Sequence, residues 1–213
     1  MYTNLKNSVL VTALEELVGT IESDACSILA SGKVVGEGID YHKSYGFVPF
    51  NVTSFIETMV AVVRHIRKQG CNPWDFTFLD AGCGIGTKLI LAESMGFPAI
   101  GLEIDQKMIR RAKRQYGIRS LKVSKGRIFR SARTPVIVNQ DVLKHHYDHY
   151  GVIFFYCPFR NDELESEFEQ RVYEQMLPGS YVIPRMHQSE LPQSIKPIDN
   201  RSRVYWKPKR RRS

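Results

Sequence analysis

The segment that most constrains the fold is FTFLDAGCGIGTKLILA, residues 76–92, in which a short apolar run leads through three glycines into a helical pattern. Residues 76–79 predict a buried strand and residues 87–95 predict a helix, so the glycines lie in the turn between them. Glycine in such a turn lets a ligand approach the backbone at the carboxyl end of a strand. The segment therefore predicts an α/β sheet that binds a nucleotide-like ligand at one edge.

The alternation of strand and helix continues after this turn. Further strands are predicted at 99–102, 136–138, 152–156 and 181–183, and helices at 106–116 and 162–177. Residues 152–156 are entirely apolar, as expected of a strand that is covered on both faces of a parallel sheet. Since parallel strands need crossover connections, we predict a doubly wound, mostly parallel sheet. Residues before 70 predict a helical preface and a long Gly- and Tyr-rich loop.

The charges around the glycines indicate which ligand this edge binds. The spacing Gly82-x-Gly84-x-Gly86 differs from the dinucleotide pattern and from the phosphate-binding loop. Asp80 stands at the strand end, where a carboxylate would repel a pyrophosphate and attract a cation. Glu103 ends the next strand, about twenty residues later, where a carboxylate binds ribose hydroxyls. S-adenosylmethionine has a sulfonium, an ammonium and no phosphate, so we predict it as the cofactor.

These motifs resemble the class I, seven-strand, Rossmann-like S-adenosylmethionine-dependent methyltransferases over roughly residues 45–186. The resemblance implies that the first strand and its turn hold the methionine end and that Glu103 holds the ribose. It also implies that Asp141 lies near the adenine amino group and that Val142 lies against the ring. The full set of expected cofactor-binding residues is Asp80, Ala81, Gly82, Cys83, Gly84, Gly86, Glu103, Ile104, Asp141 and Val142.

The predicted fourth strand ends in Tyr156-Cys157-Pro158-Phe159, where this family admits the methyl acceptor. Nucleic-acid amino methyltransferases carry [DNS]-P-P-[YFW] here, and this chain lacks the polar first residue and the double proline. Upstream, YGFVPF at residues 45–50 resembles the front end of Dot1-like protein-lysine methyltransferases, where such a segment folds over the cofactor. The expected substrate-entry residues are Tyr45, Tyr156, Pro158 and Phe159. Methyl transfer to a good nucleophile needs alignment more than an acid or base, so no catalytic residue is assigned.

The net charge of +8 is unevenly distributed along the sequence. Residues 105–133 contain eleven Lys and Arg against one acid, and residues 195–213 contain eight against one acid, whereas the remainder is acidic. Two basic segments on an acidic body predict an acidic macromolecular partner, either a protein or a nucleic acid. A solvated helix face and a solubilising tail are the alternative interpretation.

Several classes are disfavoured by what the sequence lacks. The four cysteines lie far apart without a C-x-x-C pair, which predicts neither a disulfide framework nor a zinc site. The residues of KHHYDH at 144–149 are nearly contiguous, whereas helical metal ligands need i, i+4 spacing, so no metal is expected. The apolar runs are too short to span a membrane and no signal peptide is recognisable, so we expect a soluble, intracellular protein, cytoplasmic or, in a eukaryote, nuclear.

The sequence thus predicts N-terminal helices and a cofactor-covering loop at 1–70, a methyltransferase core at 71–206 and a basic tail at 207–213. The expected function is S-adenosylmethionine-dependent methyl transfer to a macromolecule, with protein lysine ahead of RNA or DNA. Two alternatives stay open. One is a small-molecule methyltransferase, and the other is a non-catalytic module of the same fold that binds nucleic acid or a protein partner.

Overall fold

A computed structural model of the chain describes residues 16, 17, 19–21, 23, 50–121, 135–156, 158–185 and 189–209, of which those before 50 are helical. The helices that follow are α1 (Val52–Lys68), α2 (Thr87–Ser94), α3 (Gln106–Tyr116) and α4 (Asp162–Gln175). The strands are β1 (Phe78–Ala81), β2 (Ala99–Glu103), β3 (Arg119–Leu121), β4 (Val136–Asn139), β5 (Val152–Tyr156), β6 (Tyr181–Arg185), β7 (Lys196–Pro197) and β8 (Tyr205–Trp206). Short 3₁₀ turns lie at Pro73–Asp75 and Val142–Lys144.

Within these residues the strands form one sheet in the order β3-β4-β2-β1-β5-β6-β8-β7. All neighbours from β3 to β6 pair in parallel, and β8 pairs antiparallel with β6 and β7. The chain moves outward from β1 to β2 and β4 and then returns to β5 on the other side of β1. Ligands of such sheets bind where the strand order reverses, outside the carboxyl ends of β1, β2 and β5. The predicted doubly wound, mostly parallel sheet is therefore confirmed.

Two apolar layers cover the sheet, and the period-two alternation along β1 assigns its residues to them. Phe78 belongs to the layer formed with α1 and α2, whereas Leu79 and Ala81 belong to the layer formed with α4. By this alternation Asp80 lies on the α1 face, where its strand neighbours are Gly101 of β2 and Phe154 of β5. The fold thus places an acidic side chain inside an apolar layer.

Three short strands lie within the two basic segments of the sequence, residues 105–133 and residues 195–213. β3 pairs with β4 although all three of its residues are exposed, so it lacks the apolar pattern of a buried strand. β7 and β8 extend the sheet beyond β6 within the second basic segment. Apolar Tyr205 and Trp206 make this pairing favourable because they pack on the two core layers.

The described part of the predicted tail, residues 207–209, is attached to the sheet. The backbone of Lys207 accepts a hydrogen bond from Gly179 N–H and donates one to the Ser180 carbonyl. Its Nζ donates to the carbonyls of Tyr173 (3.2 Å) and Met176 (2.8 Å) at the end of α4. A cation at a helix C-terminus is stabilising, so Lys207 belongs to the folded core. No helix in the described part of the chain is long and apolar enough to cross a membrane.

Candidate active site

The glycine turn between β1 and α2 has three glycines with different surroundings. Gly82 (φ 83°) is exposed and Gly84 (φ 58°) is partly exposed, so their backbone is accessible at the sheet edge. Gly86 (φ 81°) is buried, and a Cβ there would lie 2.7 Å from Ile118 Cδ1. The first two glycines are therefore placed to meet a ligand, whereas the third allows α2 to pack closely on the sheet.

Ala81 and Cys83, also expected at the cofactor, are buried. The Cys83 N–H donates to the Leu102 carbonyl (2.9 Å), and its side chain faces Gly101, where a Cβ would lie 2.4 Å from Sγ. Burial raises the pKa of the Cys83 thiol well above its usual range. Cys83 is thus a neutral packing residue whose contribution to the turn comes from its backbone.

Glu103 is held by three backbone amides at the end of β2. Oε2 accepts from Gly84 N–H (2.7 Å), and Oε1 accepts from Ile104 N–H and Asp105 N–H (both 2.8 Å). Burial raises the pKa of this carboxyl to about 7, while the three hydrogen bonds lower it. The Gly84 contact joins the glycine turn to β2, so the two predicted halves of the cofactor site meet at one carboxylate.

Asp80 is only 1% exposed and lies 3.2 Å from Nζ of Lys88 on α2. Neither carboxylate oxygen has a hydrogen-bond donor in suitable geometry among the described residues. Burial raises the pKa of Asp80, and Lys88 opposes that rise. From the sequence we expected Asp80 to attract a cationic cofactor. In the structure Lys88 lies beside Asp80 and compensates its charge inside the protein, so a role of Asp80 toward the cofactor stays a prediction.

The Lys88 ammonium also lies over two aromatic rings, 4.6 Å from the centroid of Phe50 and 5.5 Å from that of Phe154. Such cation–π contacts stabilise a cation that has left water. Sequence reasoning missed Lys88, which lies eight residues after Asp80 in the first turn of α2, because a lysine in a helix is normally solvent-exposed.

The predicted adenine side contains one exposed apolar residue and one capping acid. Ile104, directly after Glu103, is 52% exposed, whereas Val142 is only 8% exposed. Asp141 Oδ1 accepts from Leu143 N–H (3.0 Å) and so caps the 3₁₀ turn. Asn139 stabilises this edge by donating to the carbonyls of Glu103 and Ile104. Ile104 thus offers an exposed apolar surface for a base beside Glu103, the carboxylate that is predicted to bind ribose.

The predicted acceptor residues have different environments. Pro158 lies beside the glycine turn, since a Cβ on Gly82 would be 3.7 Å from Pro158 Cβ. Phe159 packs edge-on against Phe168 of α4 with centroids 5.9 Å apart, and its N–H donates to buried Glu165. Tyr156 lies at the end of β5 and is half-buried. Tyr45 and Cys157 lie outside the described residues, so their roles stay predictions.

A cavity of about 110 Å³ lies between α1 and the ends of β5 and β6. Its wall includes Phe50, Ser54, Phe55, Phe154, Tyr156 and Arg185. Two of these rings are the ones beneath the Lys88 ammonium, so the cavity adjoins the Asp80–Lys88 pair. Sequence reasoning missed Arg185 because nothing in the local pattern at the end of β6 distinguishes it from the chain's other arginines.

The histidine-rich segment at residues 144–149, before β5, contains a buried histidine, His145, that is held by two hydrogen bonds. His145 is 2% exposed; its Nδ1 donates to Gln140 Oε1 (3.0 Å) and its Nε2 accepts from the Tyr150 hydroxyl (2.8 Å). Burial lowers the pKa of His145 to about 4, so the ring is neutral at physiological pH. Among the described residues no group of three or more His, Cys, Asp or Glu is placed to hold a metal ion.

Comparison with solved structures places this fold. An RNA methyltransferase from Salinibacter ruber, crystallised with S-adenosyl-L-homocysteine, matches with a TM-score of 0.51 and 18% identity over 76% of this chain and 94% of that one. A protein from Haemophilus influenzae assigned as a methylase matches with a TM-score of 0.54 and 15% identity over 73% and 99% of the two chains. No protein-family model and no curated protein matches. Together with the sheet order and the glycine turn, these similarities show that the chain has the fold of the class I S-adenosylmethionine-dependent methyltransferases.

Proposed function

We propose that this chain is an S-adenosylmethionine-dependent methyltransferase. The observation that carries the proposal is the meeting of accessible glycine backbone, the Glu103 carboxylate and exposed Ile104 at the ends of β1 and β2. A vicinal diol needs a carboxylate acceptor, and a base needs an apolar surface, so this edge suits an adenosine. Three backbone amides that donate to Glu103 keep its side chain in position before the ligand binds.

In this proposal each residue has a defined task. Gly82 and Gly84 let the cofactor's methionine part approach the backbone, and Glu103 accepts from the ribose hydroxyls. Ile104 and Val142 lie against the adenine, and Asp141 offers its second oxygen to the exocyclic amine. The bound cofactor supplies an activated methyl group on a sulfonium. The chain then aligns an acceptor nucleophile that enters between Pro158 and Tyr156 and excludes water from that path.

Calorimetric titration with S-adenosylmethionine and S-adenosylhomocysteine tests the proposal. We expect saturable binding of both to the unmodified protein and at least tenfold weaker binding to Glu103→Gln, with NAD as the nucleotide control. Arg64→Met, an exposed position on α1, is the control for a charge change outside the site. Absence of binding to the unmodified protein would contradict the proposal and favour a non-catalytic module, and tighter binding of NAD would overturn the choice of cofactor.

We further propose a macromolecular acceptor. The Dot1-like resemblance favours protein lysine, but residues 45–49 of that motif lie outside the described part of the chain. The described basic surface favours a nucleic acid. Lys107, Arg110, Lys113 and Arg114 are exposed on α3, and Arg119 follows on β3. These cations lie on the β2–β4 half of the sheet, beside the proposed ribose site, where a phosphate backbone or an acidic protein could dock.

Transfer of tritium from labelled cofactor distinguishes the acceptors. Protein, RNA, DNA and metabolite pools are incubated separately with the protein, and we expect label in a macromolecular pool. Transfer to RNA or DNA should fall steeply between low and physiological salt, and Arg110→Gln together with Arg114→Gln should weaken it further. Label in metabolites alone, insensitive to salt and to these substitutions, would support a small-molecule methyltransferase instead.

The division of the chain is proposed with one refinement. We propose that residues 1–70 supply the N-terminal helices and the cofactor-covering loop and that residues 71–206 form the core, whereas the basic tail begins after the residues attached to the sheet. A test of the tail should therefore delete 210–213 and leave Lys207 in place, because Lys207 holds the end of α4. Unchanged acceptor affinity in this deletion would assign the docking role to α3 alone.

A further inference from the structure

The cavity under α1 contains a cation whose role methyl transfer does not explain. Arg185 is the last residue of β6 and lies beside Tyr156 in the parallel register of β5 and β6. Its Nη2 donates to Thr58 Oγ1 (2.6 Å) and to Ser54 Oγ (3.2 Å) on α1. These neutral groups fix the guanidinium against the helix without compensating its charge.

No carboxylate of the described residues lies within ion-pair distance of this guanidinium. Burial lowers the pKa of Arg185, and the nearby Arg203 lowers it further. Arginine stays charged in proteins, so among the described residues the positive charge of half-buried Arg185 has no carboxylate partner. The buried acid that adjoins the cavity, Asp80, is paired with Lys88.

The aromatic rings of the cavity and the N-terminus of α1 would strengthen an interaction between Arg185 and an anion. The rings of Phe50, Phe154 and Tyr156 reduce the exposure of the guanidinium to water, which lowers the local dielectric constant. α1 begins at Val52 beside the cavity, and its N-terminal amides add positive partial charge. Among the described residues, the Nε and Nη1 groups of Arg185 make no hydrogen bond and remain available for a bidentate acceptor.

We propose that Arg185 binds an anionic group, a carboxylate or a phosphate, in this cavity. At about 110 Å³ the cavity is smaller than the roughly 300 Å³ of sites that enclose a whole small ligand. It therefore accepts the charged end of a ligand whose remainder lies at the sheet edge. Two sources have this chemistry: the carboxylate of the cofactor's methionine part, or an anionic group of the methyl acceptor. The identification of these two sources rests on the proposed methyltransferase function, whereas the binding of an anion by Arg185 does not.

The first experiment uses inorganic phosphate and acetate as probes and needs neither cofactor nor acceptor. In protein labelled with ¹⁵N-arginine, the Arg185 Nε–H resonance is assigned by its loss in Arg185→Lys. We expect a saturable shift of this resonance on titration with phosphate or acetate, and only weak, non-saturating shifts of exposed arginines such as Arg64. An Arg185 resonance that responds no more than the exposed arginines would overturn the proposal.

The second experiment identifies the source of the anion. Arg185→Lys keeps the charge and removes the bidentate fork, Arg185→Met removes both, and Arg64→Met is the matched control. At least tenfold weaker binding of S-adenosylhomocysteine, with binding of decarboxylated S-adenosylmethionine unchanged, would assign the site to the cofactor's carboxylate. Unchanged cofactor affinity with a tenfold higher KM for the pool labelled by tritium would assign it to the acceptor. If neither value changes in both Arg185 variants, the proposal is wrong.

Failure of the proposed function gives a different result. In that case the unmodified protein binds no S-adenosylhomocysteine, while the phosphate titration still reports on Arg185. Should Arg185→Met fail to fold because α1 loses its contact, Arg185→Lys retains a donor near Thr58 and keeps both experiments decisive.

Discussion

The two halves of the sheet's carboxyl edge differ in how their charges are compensated. On the β1–β2 side, Asp80 pairs with Lys88 and Glu103 accepts from three backbone amides. On the β5–β6 side, Arg185 contacts only neutral oxygens of α1 among the described residues. Internal compensation holds the glycine turn in position, whereas Arg185 is available to the anion that we propose. In this proposal the edge combines a pre-organised side with a side that a ligand completes.

The largest expected effect comes from breaking the compensated pair. Lys88→Met leaves the Asp80 carboxylate buried without its cation, and we expect a loss of about 3 kcal/mol of unfolding free energy near pH 8. Arg185→Met removes an uncompensated cation and should cost only about 1 kcal/mol, from its lost hydrogen bonds to Ser54 and Thr58. Urea unfolding measures both. Equal losses would show that the two halves do not differ in this way.

The pH dependence of Lys88→Met follows from the pKa of Asp80. Burial raises this pKa in the folded protein and Lys88 opposes the rise, so removal of Lys88 raises the pKa of Asp80 further. The penalty is therefore small at low pH, where Asp80 is protonated in both states, and grows as the pH rises through the folded pKa. The double variant Asp80→Asn/Lys88→Met should recover most of the loss and show no such dependence.

The next largest effect is the difference between Gly86, which packs against the core, and Gly82, which lies at the proposed cofactor site. Gly86→Ala should cost about 2 kcal/mol, from the left-handed backbone and the contact with Ile118. Gly82→Ala should cost about 1 kcal/mol, since its new Cβ meets only Pro158 at ordinary contact distance. Thermal unfolding combined with cofactor titration distinguishes them. Gly82→Ala weakens S-adenosylhomocysteine binding in a protein that is still folded, whereas Gly86→Ala chiefly lowers stability.

Glu103 makes the pre-organised side sensitive to pH. Its pKa is raised to about 7, so the carboxylate that accepts from a diol predominates only above that pH. We expect the affinity for S-adenosylhomocysteine to fall as the pH decreases below 7, reaching about a tenfold loss near pH 6. Calorimetry between pH 6 and 8 measures this profile. Glu103→Gln should bind weakly with a flat profile, and a flat profile in the unmodified protein would place the ribose elsewhere.

The smallest expected effect is the loss of the contact between Lys207 and the C-terminal end of α4. Lys207→Met removes the cation from the end of α4 and should cost about 0.5–1 kcal/mol. Lys209→Met, at an exposed position two residues later, serves as the control and should change stability by less than about 0.5 kcal/mol. Denaturant unfolding measures both variants. If Lys209→Met cost as much as Lys207→Met, the attachment of the tail would not depend on the helix cap.

Local patterns predicted most of the sheet because a buried strand and its helix can be recognised from a short apolar run and its glycines. β1, β2, β4, β5 and β6 all lie where these patterns placed them, within a residue or two. β3, β7 and β8 were not predicted. Their residues are exposed or only partly buried and pair because a neighbouring strand offers its edge, so no local apolar pattern marks them.

The local patterns also predicted part of the candidate site. Gly82, Gly84, Glu103 and Ile104 converge because the carboxyl ends of adjacent parallel strands share one edge. Lys88 was missed as the partner of Asp80, because a lysine in a helix is normally solvent-exposed and only the packing of α2 brings this one inward.

The strand–turn–helix order, the glycines of the turn and the acid at the end of β2 could be read from the sequence alone, since these depend on residues close together in the chain. Only the tertiary structure decided which charges are compensated. Lys88 reaches Asp80 through the packing of α2, and Arg185 reaches the α1 cavity through the pairing of β5 with β6. Electrostatic interactions depend on distance and burial in three dimensions, so the net charge and the order of charged residues do not specify them.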